Sequence, residues 1–164
     1  MDSETILSET AFKLRTLTDF KAVAFYLVNE EDNAFYMALC DPLDMESTVK
    51  EDVDRLISDH TFAWVLRRGK AALFKSQGND FNLLLRPMTT PSRVRGMFVG
   101  ILEQDIKNIS DTIYSLLSIV ILSSSSALES IETYNHMRFL NSRLEKQAPE
   151  RERMYKDIFE NAPV

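Results

Sequence analysis

The sequence predicts an α+β fold in which an antiparallel β-sheet is flanked by helices on both faces and followed by a long C-terminal helix. Short runs rich in β-branched and aromatic residues alternate with polar turns of the kind that join hairpins. Two earlier stretches repeat apolar residues at the helical spacing of three and four. From about Asp105 to Gln147 the chain contains neither Gly nor Pro. The chain has 164 residues, 45% of them hydrophobic and 27% charged. At that length folding removes about 70% of the surface exposed by the unfolded chain, enough for one sizeable core. With four Gly, five Pro and one Cys, and with apolar residues spread throughout, collagen-like, disulfide-scaffold and wholly disordered classes are excluded.

The first element is an amphipathic helix over Ser3 to Leu17. Ile6, Leu7, Ala11, Leu14 and Leu17 fall on one face, and Ser3 is placed to cap it. Lys21 to Val28 reads as a strand buried on both sides, with small Ala22 and Ala24 on one face and Val23, Phe25 and Leu27 on the other. The polar run Asn29 to Asn33 separates it from a second strand, Ala34 to Leu39, as in an antiparallel hairpin, and Asp41-Pro42 ends the pairing. Thr48 and Glu51 have the spacing of a capping box before Val49, Val53, Leu56 and Ile57. A second cap at Asp59 opens another helix ending at Arg67-Arg68-Gly69, where Gly suits the left-handed position past a helix end and the cations complement the helix dipole. Three strands follow, Ala71 to Lys75, Phe81 to Arg86 and Arg93 to Leu102, joined by hairpin turns.

The last helix carries Ile109, Ile113, Leu116, Val120, Ala127, Tyr134, Met137 and Leu144 at spacings of three and four, a heptad-like seam. At 1.5 Å per residue it reaches about 60 Å, whereas a body of this size spans only about 35 to 40 Å. Its distal part is therefore expected to pair with the same helix of a second copy in a parallel homodimer. The expected interface combines Leu7 and Leu14 of the first helix with Ile113, Val120, Ala127, Tyr134, Met137 and Leu144. Pro149 is expected to close this helix, dividing residues 1–148 from a linker and the start of a further domain at 149–164.

At this point the chain resembles the GAF family of regulatory domains over about residues 3–147. The resemblance rests on Phe20 to Leu27, on Ala63-Trp64-Val65-Leu66-Arg67-Arg68-Gly69-Lys70-Ala71, and on Leu84 to Met88 followed by Val94 to Leu102. The tail from Tyr155 to Val164 resembles the opening of a PAS domain. Together these imply a GAF-like sensory fragment of a bacterial signalling protein, of the histidine kinase or cyclic-dinucleotide type, whose output domain lies elsewhere. The family binds small ligands between the sheet and the helices and loops after the second strand. Here Phe25, Leu27, Phe62, Trp64 and Phe98 are the expected lining, with Ala22 and Ala24 admitting the terminal helices on the opposite face. The alternative register puts the large residues under the long helix.

Other residues carry weaker chemistry. Cys40 offers a covalent bilin anchor, but it lacks the Cys-His arrangement of many bilin-binding relatives, and a plain semi-buried thiol is the simpler reading. One Cys cannot form an internal catalytic disulfide. His60 and His136 are too far apart in the chain to suggest a metal site, and the surroundings of His136 lack the acidic residue and downstream Pro of a kinase phosphoacceptor box. The signature of cyclic-nucleotide-binding GAF domains is not recognisable. Ser123 to Ser126 place small side chains where helices can approach closely. No enzymatic activity and no cofactor are implied.

Nineteen Lys and Arg against 25 Asp and Glu give a net charge of −6, which provides no broad basic surface for nucleic acid. The acidic start lacks the order of a signal peptide. The most apolar stretch, Ile113 to Leu122, has about ten residues where a membrane span needs about twenty. A cytoplasmic location without membrane contact is expected. The expected function is binding of an unknown small ligand and relay through a dimeric helical bundle. A ligand-free dimerisation module is the alternative from a different class.

Overall fold

The computed structural model describes residues 2–103 and 109–160, with side chains as far as residue 146. It contains α1 (Ser3–Leu17), β1 (Ala22–Val28), β2 (Phe35–Asp41), α2 (Glu46–Ser58), α3 (Thr61–Arg68), β3 (Ala72–Lys75), β4 (Phe81–Thr89), β5 (Val94–Glu103) and α4 (Asp111–Glu160). The five strands form one sheet in the order β2-β1-β5-β4-β3, with every neighbouring pair antiparallel. This is the α+β architecture that the alternating strand and helix patterns lead one to expect. The first unit of the chain is Met1–Leu128, and the second is Glu129–Val164.

Local chemistry sets most element ends. Asp2, rather than Ser3, caps α1: its side chain accepts the Thr5 N–H at 2.8 Å. The capping box at Thr48 is not used, because a 3₁₀ turn over Leu43–Met45 leads into α2 two residues earlier and supplies the entry geometry instead. Asp59 accepts the N–H of Thr61 at 3.0 Å, and its hydrogen bonding to Thr61 holds the carboxyl below the ordinary range. Gly69 ends α3 with φ 69°, the left-handed conformation that favours glycine.

Pro149 does not close the last helix, which runs on to Glu160. An interior proline removes one backbone donor and crowds the preceding turn, at a cost of about 3 kcal/mol. The strong helix formers around it, from Glu145 to Ala148 and from Glu150 to Arg153, keep the flanking turns helical. Of the expected PAS-like opening, residues 161–164 and the side chains of 155–160 lie outside the described residues. So does the expected helix start at Asp105.

The two sheet faces carry different loads. Ala22, Ala24 and Tyr26 share one face with Leu83, Leu85, Met97, Val99 and Ile101, and pack against Val49, Val53 and Leu56 of α2 and Phe62 and Val65 of α3. Val23, Phe25 and Leu27 point to the opposite face, paired with Gly100, Phe98 and Gly96. There the buried sides of α1 (Ile6, Leu7, Ala11, Leu14) and α4 (Leu117, Ile121, Leu128) complete the core. The alternative register is therefore the one adopted.

Its physical reason is Phe20. This ring meets Phe98 edge-on at 5.6 Å, and Phe98 meets Phe25 at the same separation. A side chain at Gly100 would collide with the Phe20 ring. The three rings and the bare backbone of Gly100 form a fitted layer under the terminal helices, whereas the alanines leave room for the shorter α2–α3 pair.

By length and composition alone, the Asp111–Lys146 part of α4 is long and apolar enough to cross a membrane. Leu117, Ile121, Ser124, Ser125 and Leu128 of this helix are buried within the protein.

Candidate functional site

The five residues expected to line a ligand site do not converge. Phe25 and Phe98 are fully buried beneath the terminal helices, and Leu27 shares their face. Phe62 is on the other side of the sheet, packed edge-on against Phe35 at 4.8 Å. Trp64 is 45% exposed on the outside of α3, with the Arg68 guanidinium 5.0 Å from its ring centroid. An eight-residue helix buries only one stripe. Phe62 and Val65 occupy it, which turns Trp64 outward.

The α2–α3 face has a different constellation. Tyr26 is only 4% exposed, and its hydroxyl has no hydrogen-bond partner among the described residues. An orphaned buried hydroxyl costs about 1–3 kcal/mol, so this is the least satisfied polar group in that core. Burial, followed by the Asp54 carboxylate, the Cys40 thiol once ionised at alkaline pH and the Glu46 carboxylate, raises its pKa far above the ordinary phenol range. Tyr26 therefore stays a neutral phenol. Across the strands its partners are Met37 and Met97. Phe35, Met37, Cys40, Met45 and Leu66 pack partly buried against the same cluster.

Cys40 is half-buried on this face, with Sγ 3.5 Å from the Pro42 carbonyl oxygen. Burial first, then Glu46, Asp41 and Asp44, push its thiol up to about 11. At neutral pH it is protonated and a poor nucleophile.

Two polar ties have little signature in the sequence. Asp52 of α2 is buried: Ser76 donates its hydroxyl to Oδ2 at 2.7 Å, and Arg55 donates to Oδ1 at 3.2 Å. This anchors α2 to the β3–β4 turn. Only the period of α2 hints at it, since Asp52 precedes Val53 on the inward side. Arg86 of β4 donates to the Gly69 carbonyl at 2.8 Å and to the Ser118 hydroxyl at 3.4 Å, so it reaches both the end of α3 and the start of α4. Burial lowers its pKa from the usual guanidinium value.

The expected dimer residues divide. Leu7 and Leu14 are 2% and 0% exposed, packed inside their own protomer, so the expectation that they face a second copy is corrected. Their stripe on α1 is the one that covers the sheet. Ile113, Val120 and Ala127 flank the buried stripe of α4 and are half-buried. In the second unit, Tyr134, Met137 and Leu144 are 61%, 58% and 56% exposed, along with Phe139 and Leu140. Ser124 and Ser125 face inward, whereas Ser123 and Ser126 are exposed. Thr10 of α1 and Ser124 of α4 join their hydroxyls at 2.9 Å. Among the described residues no group of three or more His, Cys, Asp or Glu is arranged to hold a metal ion.

No family model matches the sequence, and no curated protein is similar to it. Solved structures are similar in fold. A GAF domain/HD domain protein from Geobacter sulfurreducens superposes with a TM-score of 0.64 at 14% identity, covering 80% of this chain and 95% of that one. GAF3 of Slr1393 from Synechocystis, in its photoproduct state, gives a TM-score of 0.65 at 11% identity, covering 83% and 99%. The GAF domain of a two-component sensor histidine kinase from Bacillus halodurans gives 0.59 at 13% identity, covering 80% and 97%. With its antiparallel sheet between a two-helix layer and paired terminal helices, the chain has the fold of GAF domains.

Proposed function

We propose that this chain is a sensory domain without catalysis of its own, acting in a cytoplasmic signal-transduction protein. A small molecule binds between the sheet and the α2–α3 layer, and its presence is relayed along α4 in a parallel homodimer to a downstream PAS-like domain. The observation that carries the reading is the exposed apolar side of α4. Tyr134, Met137, Leu140 and Leu144 recur at spacings of three and four in water, and an isolated amphipathic helix gains most of its stability by covering such a face. The likeness in fold to GAF domains, one of them from a sensor kinase, supports the sensory role. In this proposal the dimer contact belongs to α4 alone, flanked by Ile113, Val120 and Ala127. A ligand acts by binding one helix arrangement better than the other.

Sedimentation velocity on the full chain at micromolar concentration tests the dimer. The wild type is expected to sediment as a dimer, and Met137→Glu/Leu144→Glu as a monomer that keeps the near-ultraviolet circular dichroism of the first unit's core and loses helical signal only from distal α4. A monomeric wild type overturns the relay. Covalent bilin attachment at Cys40 is the weaker reading, because the thiol is half-buried and protonated.

A further inference from the structure

We infer that the ligand of the α2–α3 face is an uncharged, mostly apolar small molecule held by one hydrogen bond to the Tyr26 hydroxyl. This rests on the assignment of that face as the ligand-binding one. The Tyr26 hydroxyl is buried and unpartnered among the described residues, although buried tyrosines usually find a partner for this group. A phenol both donates and accepts, so an alcohol, amide or ketone oxygen satisfies it.

Its surroundings narrow the class. The apolar side chains of this face bring no charge, and Arg95, the cation of β5 two residues from Met97, is already engaged in an interaction of its own, so a carboxylate or phosphate entering here would lose its hydration without gaining a free counter-charge. The charges that bear on Tyr26 and Cys40 are the carboxylates of Asp41, Asp44, Glu46 and Asp54, which repel anions further. Asp41 is already paired with Arg15 at 3.1 Å. Lys50 lies one turn from both Glu46 and Asp54 but is exposed to solvent. An ammonium would be drawn by the same carboxylates, but Asp44, Glu46 and Asp54 are exposed to solvent and the buried Asp52 is committed to Ser76 and Arg55, so a buried ammonium would lose its hydration without a contact ion pair. What is left is a neutral polar group on an apolar body. Room for that body comes from Met37 and Met45, whose unbranched thioethers rearrange easily, beside the Phe35–Phe62 pair.

The test compares three size-matched probes, phenylacetamide, phenylacetate and phenethylamine, by thermal melting and equilibrium titration of the full chain. Phenylacetamide is expected to raise the melting temperature, and the acid and the amine to leave it unchanged. Tyr26→Phe should bind the amide about tenfold more weakly. Without ligand it should melt at the same temperature as wild type or higher, since it removes an unsatisfied group. A preference for the acid or the amine overturns the ligand class. Amide binding that survives Tyr26→Phe but is abolished by Met37→Trp overturns the anchor and leaves the face assignment standing. Binding that survives both overturns the face assignment itself, and no response to any of the three overturns anchor and face together.

Discussion

Burial and the nearby carboxylates of Glu46, Asp41 and Asp44 push the Cys40 thiol up to about 11, and two measurable effects follow. Alkylation of the folded protein by iodoacetamide should be slow at neutral pH and accelerate only as pH approaches 11, whereas the urea-unfolded chain should react with an ordinary thiol profile. The same shift makes folding pH-dependent. Above the ordinary thiol pKa the unfolded state releases its proton first, so stability falls as pH rises from about 9 to about 11 and does not change on this account at lower pH. Cys40→Ser should remove that part of the alkaline loss, measured as the change in denaturation midpoint across the window. A folded-state alkylation rate equal to that of the unfolded chain would contradict the burial. Residue identity in the sequence said little about any of this. A lone Cys at a strand end looks the same whether it faces solvent or a core, and Trp64 looks like a core residue until the stripe of α3 is known to be filled by Phe62 and Val65.

At the scale of elements, the pair Thr10–Ser124 fastens α1 to α4 through two buried hydroxyls. Thr10→Val keeps the shape but leaves the Ser124 hydroxyl buried without that partner. It should cost about 1–3 kcal/mol in urea denaturation, and adding Ser124→Ala should recover much of the loss, giving a coupling energy of the sign expected for a direct contact. Additive losses would show that the two hydroxyls do not depend on each other. The strands themselves were legible, because Ala22–Val28 is apolar throughout and Phe81–Arg86 and Val94–Leu102 are apolar but for Asn82, Arg86 and Arg95, with turns at their ends, the signature of strands covered on both sides. The helix ends were less so. Asp2 displaced Ser3 and the 3₁₀ turn displaced the box at Thr48, since several adjacent polar residues can satisfy the same orphan N–H groups. Which face of β1 meets which helices was not legible at all. Side-chain size along one strand does not say what lies opposite. That was decided by Phe20 and Gly100, distant in sequence and meaningless until the β1–β5 register brings them together.

For the molecule as a whole, the first unit has its own closed core on both sheet faces, from Ile6 to Leu128. The second unit has exposed apolar side chains and, among its described residues, no buried one. Self-association along α4 then adds stability by mass action without altering the core. If the dimer is the folded species, a tenfold rise in protein concentration stabilises it by about 1.4 kcal/mol per mole of dimer, and the melting temperature should climb by about 2 °C. Met137→Glu/Leu144→Glu should flatten that dependence. It should also leave the melting temperature at the lowest concentration close to wild type, because neither side chain belongs to the core of the first unit. A wild-type melting temperature independent of concentration would mean that the apolar side of α4 contributes nothing to the fold's stability through a second copy. A variant that melts lower at every concentration, with the wild-type slope retained, would mean that these residues act within the protomer. Scanning calorimetry over two decades of concentration separates the three outcomes.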